Sequence, residues 1–304
     1  MEAITSLLGR GQVLLADGAI GSLLMVRGLP RGAAPESLNL SHPEILEEIA
    51  SRYLEAGAQI IQTNTFGASP LKLANYGLAG QAAAINENAV RAVRRAVGER
   101  AYVSASCGPS GKILLPYGDT AAEKIFASFK TQMTSLINAG ADIICVETMS
   151  DVNEAQLAVQ AARSVSPSIP VMATMTFEAT TRGFFTIMGV TIEKACRELE
   201  KAGADLVGSN CGNGSLQMVA IAKEFRKFTR LPLLIQANAG VPELRAGQVL
   251  YPETPAYMAA MSRELIAAGV AVIGGCCGTT PDHTRAMRKM IDEELRKRHG
   301  RPAD

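Results

Sequence analysis

Two of the six cysteines in this 304-residue chain are neighbours, and the chain has only three histidines. Cys276 and Cys277 sit in Gly274-Gly275-Cys276-Cys277-Gly278-Thr279-Thr280-Pro281, at the end of an apolar run and directly before a helix start. Successive side chains of a strand point to opposite faces, so adjacent thiols reach one point only where the strand ends and bends. The flanking glycines permit that bend, and Thr280 as N-cap with Pro281 as first helical residue completes a strand, a thiol-bearing loop and a helix. A third thiol, Cys211, follows Asn210 at the end of another apolar run. Three thiolates in a chain so poor in histidine suit Zn2+, and three protein ligands leave a fourth position open for chemistry. The same residues admit other readings: inert buried cysteines, a redox-active vicinal dithiol, or a glycine-rich phosphate loop before the last helix.

Charge narrows the partners. With 30 basic and 29 acidic residues, net charge +1 and no sustained basic stripe, neither nucleic acid nor an anionic membrane is an expected partner. Met1-Glu2-Ala3 opens without a signal-peptide pattern, and the longest uncharged run, Leu265 to Pro281, is interrupted by glycines. A cytoplasmic location is therefore expected, where a cysteine cluster speaks for metal binding or catalysis rather than disulfides. Cys145 and Cys196 fall inside an apolar strand and a helix and read as core residues.

The elements that must carry these thiols are marked by an echo. Ala56-Gly57-Ala58-Gln59, Ala139-Gly140-Ala141-Asp142, Ala202-Gly203-Ala204-Asp205 and Ala268-Gly269-Val270-Ala271 each precede or open an apolar run, the pattern of a helix end, a glycine cap and a buried strand. Further runs at Val13 to Ala16, Tyr102 to Ala105, Pro170 to Thr176 and Leu231 to Ala237 bring the strands to eight. Capping boxes are expected at Ser41 with Glu44, Thr120 with Glu123 and Asp151 with Glu154. Helices fit 81–97, 191–202, 215–228, 255–268 and 281–298. Eight strand-helix units in this length predict an α/β fold, a single (β/α)8 TIM barrel over residues 1–304. The stretch from Gly18 to Leu40 reads as a long loop, a lid or rim over the mouth.

In such a barrel chemistry collects where strands end. Those ends carry Asp17, Asn64, Cys107, Glu147, Thr176, Asn210-Cys211, Asn238 and Cys276-Cys277. Asn64, Cys107 and Thr176, each taken alone, read as structural caps. Cys211, Cys276 and Cys277 differ, because strands six and eight are one strand apart and their thiols face one mouth. His283, in the first turn of the last helix, reads as a capping or surface residue.

The combination of Asp17-Gly18-Ala19-Ile20-Gly21, Thr63-Asn64-Thr65-Phe66-Gly67-Ala68, Glu147-Thr148, Asn210-Cys211 and the Gly274 to Pro281 segment resembles the homocysteine S-methyltransferase family over nearly the whole chain. Leu38-Asn39-Leu40, the Asn64 to Ala68 stretch and Asn238-Ala239-Gly240-Val241-Pro242-Glu243 are similar to the branch holding the homocysteine-binding barrel of cobalamin-dependent methionine synthase. The resemblance implies zinc on Cys211, Cys276 and Cys277, activating the homocysteine thiol for methylation to methionine. It implies that Asp17 and Glu147 hold the substrate's amino group, that backbone near Gly18 and Ala19 meets its carboxylate, and that Asn64 belongs to the substrate site. Asn238 matches a residue whose side-chain oxygen fills the fourth zinc position until the thiol displaces it. Phe184 to Gly189 is more apolar than usual for the family, and Cys211 precedes Gly212-Asn213-Gly214, which leaves the thiol acceptor and the donor surface open.

The methyl donor implied is methylcobalamin. No Asp-x-His-x-x-Gly corrinoid motif surrounds His42, His283 or His299, and a short basic tail follows the barrel, so the corrinoid is expected on a partner protein. Alternative donors are S-methylmethionine, S-adenosylmethionine and a betaine. The non-enzymatic alternative is a zinc-binding or redox-sensing barrel, against which Asp17 and Glu147 argue, since a sensor needs no ammonium-binding pair.

Overall fold

Each copy of the Ala-Gly echo ends a helix and leads into a strand. In the computed structural model, which describes residues 2–27, 29, 32–245 and 248–298, Gly57, Gly140, Gly203 and Gly269 all take left-handed backbone, which glycine adopts without a steric cost. Three copies then form the same buckle. Asp142 Oδ2 accepts the Val103 N–H at 2.7 Å and the Arg94 guanidinium at 2.6 Å. Asp205 Oδ2 accepts the Val171 N–H at 2.8 Å and Arg163 at 2.5 Å. Gln59 Oε1 accepts the Leu15 N–H at 3.3 Å and Arg288 at 2.8 Å. In the fourth copy Ala271 stands where the acid would be. There Arg226 donates to the Leu231 carbonyl at 2.6 Å while its buried Nε lacks a partner. Supplying the carboxylate should repair the defect: Ala271→Asp is expected to add about 1 kcal/mol. That gain corresponds to a melting temperature about 2 °C higher in a chain of this size. A lower melting temperature would count against the buckle.

Between the buckles run eight parallel strands: β1 (Leu14–Leu15), β2 (Ile60–Gln62), β3 (Tyr102–Cys107), β4 (Ile143–Met149), β5 (Val171–Met175), β6 (Leu206–Asn210), β7 (Leu233–Ala237) and β8 (Val270–Gly275). Neighbours in this series pair in sequence from β2 to β8. Leu14 then pairs with Val272, and a bridge from Ala16 to Ile60 joins β1 to β2. The sheet is thereby closed, and with alternating helices outside it forms a (β/α)8 barrel. Leu14, Ile60, Ile143, Met172 and Leu206 fill its interior, and helix Ile4–Gly9 adds Ile4 and Leu8 to the same cluster. Cys145 lies in this cluster and Cys196 in the outer core. Two residues further along the strands, period-2 alternation brings Gln62, Glu147, Thr174 and Gln236 to the same inner face. The barrel is therefore apolar below and polar at the C-terminal ends of its strands.

Helix bounds agree closely with the sequence, as at Ser215–Phe228 and Pro281–Arg298, but none of the three expected capping boxes forms in full, and only Asp151 serves as the N-cap. Pro43 at the first helical position places the N-cap at His42, because the residue before proline avoids helical backbone. Ser41 instead ends helix Leu38–Ser41 and donates to the Ser37 carbonyl. Thr120 is held in a bridge with Leu114, which moves the next N-cap to Ala121. Asp151 does cap, accepting the Asn153 N–H at 2.8 Å. Its partner Glu154 turns away to bind the Ser110 N–H and hydroxyl.

The stretch from Gly18 to Leu40 is not the plain loop expected, since it contains helix Gly21–Val26, a 3-10 turn Pro35–Ser37 and the start of Leu38–Ser41. Its residues 28, 30 and 31 lie outside the described set, as does His299. Two antiparallel hairpins, Glu178–Thr180 with Gly183–Phe185 and Glu243–Arg245 with Gln248–Leu250, add to the rim after β5 and β7. No described helix is long and apolar enough to cross a membrane.

Candidate metal centre

The loops after β6 and β8 bring three sulfurs together. The Cys211 N–H donates to the Gln236 carbonyl at 3.1 Å and the Cys276 N–H to the Ala237 carbonyl at 2.7 Å, so both loops are stitched to β7 between them. Cys211 has left-handed backbone, φ 61°, an uncommon state for a residue with a side chain and one found at functional sites. The Sγ atoms of Cys211, Cys276 and Cys277 lie within 4.8 Å of one another, with Cys211 and Cys277 at 3.9 Å. A tetrahedral zinc with Zn–S of about 2.3 Å separates its sulfurs by about 3.8 Å. The donor set and its spacing therefore fit that ion.

The three thiols share charge. Hydrogen bonds from Cys276 and Cys277 hold Cys211 below the usual thiol range, and the same sharing pushes Cys276 and Cys277 up. A cation entering the cluster would displace the protons that remain. Tyr251 packs its ring against Gly278, where a Cβ would come 2.1 Å from the ring's Cγ. Its phenol is pushed up to about 12 by burial and by nearby Cys277.

A cavity of about 250 Å³ reaches from the sulfurs to Gly18, Glu36, Gln62 and Glu147. A larger cavity of about 660 Å³, lined by Arg10, Gln59 and Arg288, touches none of these residues, so chemistry rather than size locates the site. Glu147 Oε1 accepts from the Ser106 hydroxyl and from Gln62 Nε2, while Oε2 faces Asn210 Nδ2 at 3.4 Å. Burial pushes its carboxyl up to about 7.

Asp17 is placed differently. Its Oδ2 accepts the Gln62 N–H at 2.8 Å, and its buried Oδ1 has no partner. Its carboxyl borders a small void among Leu46, Ile49 and Val93. Burial, with the Glu147 charge adding to it, pushes Asp17 up to about 8.

The remaining predicted residues are already engaged. Asn64 lines the cavity, but its Nδ2 donates to the Pro35 carbonyl and to Asn39 Oδ1, which anchors the rim segment. The Ala19 N–H goes to Thr279 Oγ1 at 3.0 Å. Asn238 Oδ1 accepts the Cys277 N–H at 3.1 Å, so its oxygen braces the cysteine loop. Cys107 donates to Gln132, and Thr176 to the Asn210 carbonyl, both structural. His283 Nδ1 accepts the Thr280 N–H, the return half of a capping box with histidine in the usual glutamate position. Its Nε2 then carries the proton and donates to the Glu253 carbonyl.

Residues 14–291 match the sequence profile described as homocysteine S-methyltransferase. The chain belongs to that family. Within this homocysteine S-methyltransferase family it is 33% identical over 299 residues to the methionine synthase of Mycobacterium leprae, across 92% of this chain and 24% of that protein. The methionine synthase of Mycobacterium tuberculosis is also 33% identical, over 297 residues, 92% of this chain and 25% of that protein. The chain thus spans about a quarter of the length of the curated relatives it matches. Among solved structures, the metallated form of the homocysteine methyltransferase MmuM from Escherichia coli superposes with a TM-score of 0.78 at 24% identity. It covers 93% of this chain and 98% of its own, a likeness of fold.

Thr148 and Asn210 stand in the family motifs without a role assigned to them, and Gln62, Ser106 and Tyr251 lie outside those motifs. Gln62 and Asn210 were readable from alternation, since each lies an even number of residues beyond an inward-facing core position. Thr148, with φ 59°, and Tyr251, delivered by a rim hairpin, carry no such periodic signal.

Proposed function

We propose that this barrel transfers a methyl group to the thiol of homocysteine, giving methionine. The observation that carries the reading is that one cavity joins three convergent cysteine sulfurs to a buried carboxyl, which matches a small molecule with a thiol at one end and an ammonium at the other. Zinc held by Cys211, Cys276 and Cys277 would supply the Lewis acidity that keeps the substrate sulfur as thiolate at neutral pH.

The chain's own residues do the positioning. Glu147 ionises against the substrate ammonium while Gln62, Ser106 and Asn210 keep its oxygens in place. Asp17 joins it by turning its carboxylate from the Gln62 N–H toward the cavity. Because the Ala19 amide is given to Thr279, Gly18 is left to meet the substrate carboxylate. Asn238 serves as a brace on the Cys277 loop, and its oxygen reaches a metal only by releasing that N–H. Residues 1–304 act as one barrel unit, with no membrane or nucleic-acid partner, in the cytoplasm.

The donor is a methylcorrinoid carried on a protein that docks over the mouth. Val26, Tyr117, Ile187 and Leu244 are 74–86% exposed and stand on the loops after β1, β3, β5 and β7. An apolar ring of this kind suits a macromolecular partner. Phe66 is the one aromatic side chain among the described residues lining the cavity, which is poor enclosure for a free sulfonium. The test is turnover of zinc-loaded protein with homocysteine against methylcobalamin (free and on its carrier), S-methylmethionine, S-adenosylmethionine and betaine in parallel. Methionine formed from methylcobalamin is expected. Turnover with a sulfonium and none with the corrinoid would overturn the donor, and no methionine from any donor would overturn the activity.

A further inference from the structure

Asn210 touches both halves of the site. It is fully buried at the end of β6, and every polar position of its carboxamide is used. Oδ1 accepts the Thr148 N–H and the Thr174 hydroxyl, each at 2.8 Å. Nδ2 donates to Thr148 Oγ1 at 2.7 Å and lies 3.4 Å from Glu147 Oε2 and 4.0 Å from Cys276 Sγ. One NH2 group therefore faces the carboxylate and a sulfur together.

The backbone around it is strained. Thr148 and Cys211 are the two non-glycine residues with positive φ among those described. One is clamped by Asn210 at both its N–H and its hydroxyl, and the other directly follows Asn210. A β-branched residue in left-handed backbone persists only where its surroundings over-determine it. The clamp bends the end of β4 just beyond Glu147 and the end of β6 just before Cys211.

We propose that Asn210 is a positioning residue that sets the spacing between the Glu147 carboxylate and the sulfur cluster, and so selects a substrate whose amino and thiol groups are three carbons apart over one with two. The inference rests on the homocysteine reading above. Cysteine carries the same groups one methylene closer, so it cannot engage both ends of a site whose ends are held apart.

The test measures homocysteine and cysteine binding to Co2+-substituted protein by calorimetry and by the thiolate-to-cobalt absorption. Wild type, Asn210→Ala, Asn210→Asp and the pair Asn210→Ala with Thr148→Gly are compared. Asn210→Asp keeps the side chain's shape and its acceptor for the Thr148 N–H, and stands in if the alanine variant does not fold. Expected is one cobalt per chain throughout, homocysteine affinity about thirtyfold lower in the Asn210 variants, cysteine affinity changed less than threefold, and an altered homocysteine-induced cobalt band. Three results would overturn the role: an unchanged homocysteine-to-cysteine ratio, affinity lost only in step with the metal, or recovery when Thr148→Gly relieves the strain in Asn210→Ala. Wild type that binds no homocysteine would sink the proposed function instead, and is read separately.

Discussion

Cys276→Ala and Cys211→Ala should each lose metal and methyl transfer together, with metal affinity lower by more than about a hundredfold. The reason is the donor set. The three sulfurs lie within 4.8 Å of one another, and removing one leaves two thiolates, too few to hold a catalytic zinc against water. Cys145→Ala is the control, because Cys145 is buried in the barrel interior, where burial raises its thiol and it packs as a small apolar residue. It should keep metal and activity at some cost in stability. Metal content by elemental analysis decides the matter, and full retention in Cys276→Ala would remove the three-thiolate site.

Glu147→Gln should weaken homocysteine binding about thirtyfold, or about 2 kcal/mol, while leaving the metal in place, since a charge-assisted bond to the ammonium becomes a neutral one. The pH dependence has a definite sign. Burial pushes Glu147 up to about 7 from 4.5 and Asp17 up to about 8 from 3.8. The folded protein therefore keeps protons that the unfolded chain has released. The stability from this retention is complete below about pH 4 and is lost as the pH climbs toward about 8. Substrate affinity runs the other way, rising over the upper part of that window as the carboxyls ionise. In Glu147→Gln the loss of melting temperature from pH 5 to pH 8 should shrink, and so should the gain in affinity. Calorimetric scans and titrations across that range check both, and an unchanged pH profile would deny Glu147 the role.

Much of this is legible in the sequence. The glycine caps of the echo, the strand ends and the convergence of Cys211 with Cys276 and Cys277 all follow from local chemistry and barrel closure, and the structure reproduces them. Asp142 and Asp205 were visible as repeated letters, yet their pairing with Arg94 and Arg163 was not, because it joins residues 48 and 42 positions apart. The capping boxes at Ser41 and Thr120 failed where a proline and a bridge overrode a local preference.

The site shows the same division. Glu147 and the cysteines stand in the cavity, as their places at the strand ends suggested. Asp17, the Ala19 amide and Asn238 shared the same motif signals, but the Ala19 amide and Asn238 Oδ1 already have partners, while Asp17 gives Oδ2 to the Gln62 N–H and leaves Oδ1 without one. A motif names the residues at a rim without saying which way each side chain turns.

The central claim is that the homocysteine thiol enters the cysteine cluster as thiolate while its ammonium meets Glu147. Calorimetry of homocysteine binding to zinc-loaded protein near pH 7, repeated in buffers of different ionisation enthalpy, counts the protons released. A free thiol with pKa about 8.5 is almost fully protonated there, so at least about one proton should leave per homocysteine bound. The same thiol without its amino group should bind more weakly by an order of magnitude or more. Binding with no proton released, or equal affinity for the amine-free thiol, would contradict the account.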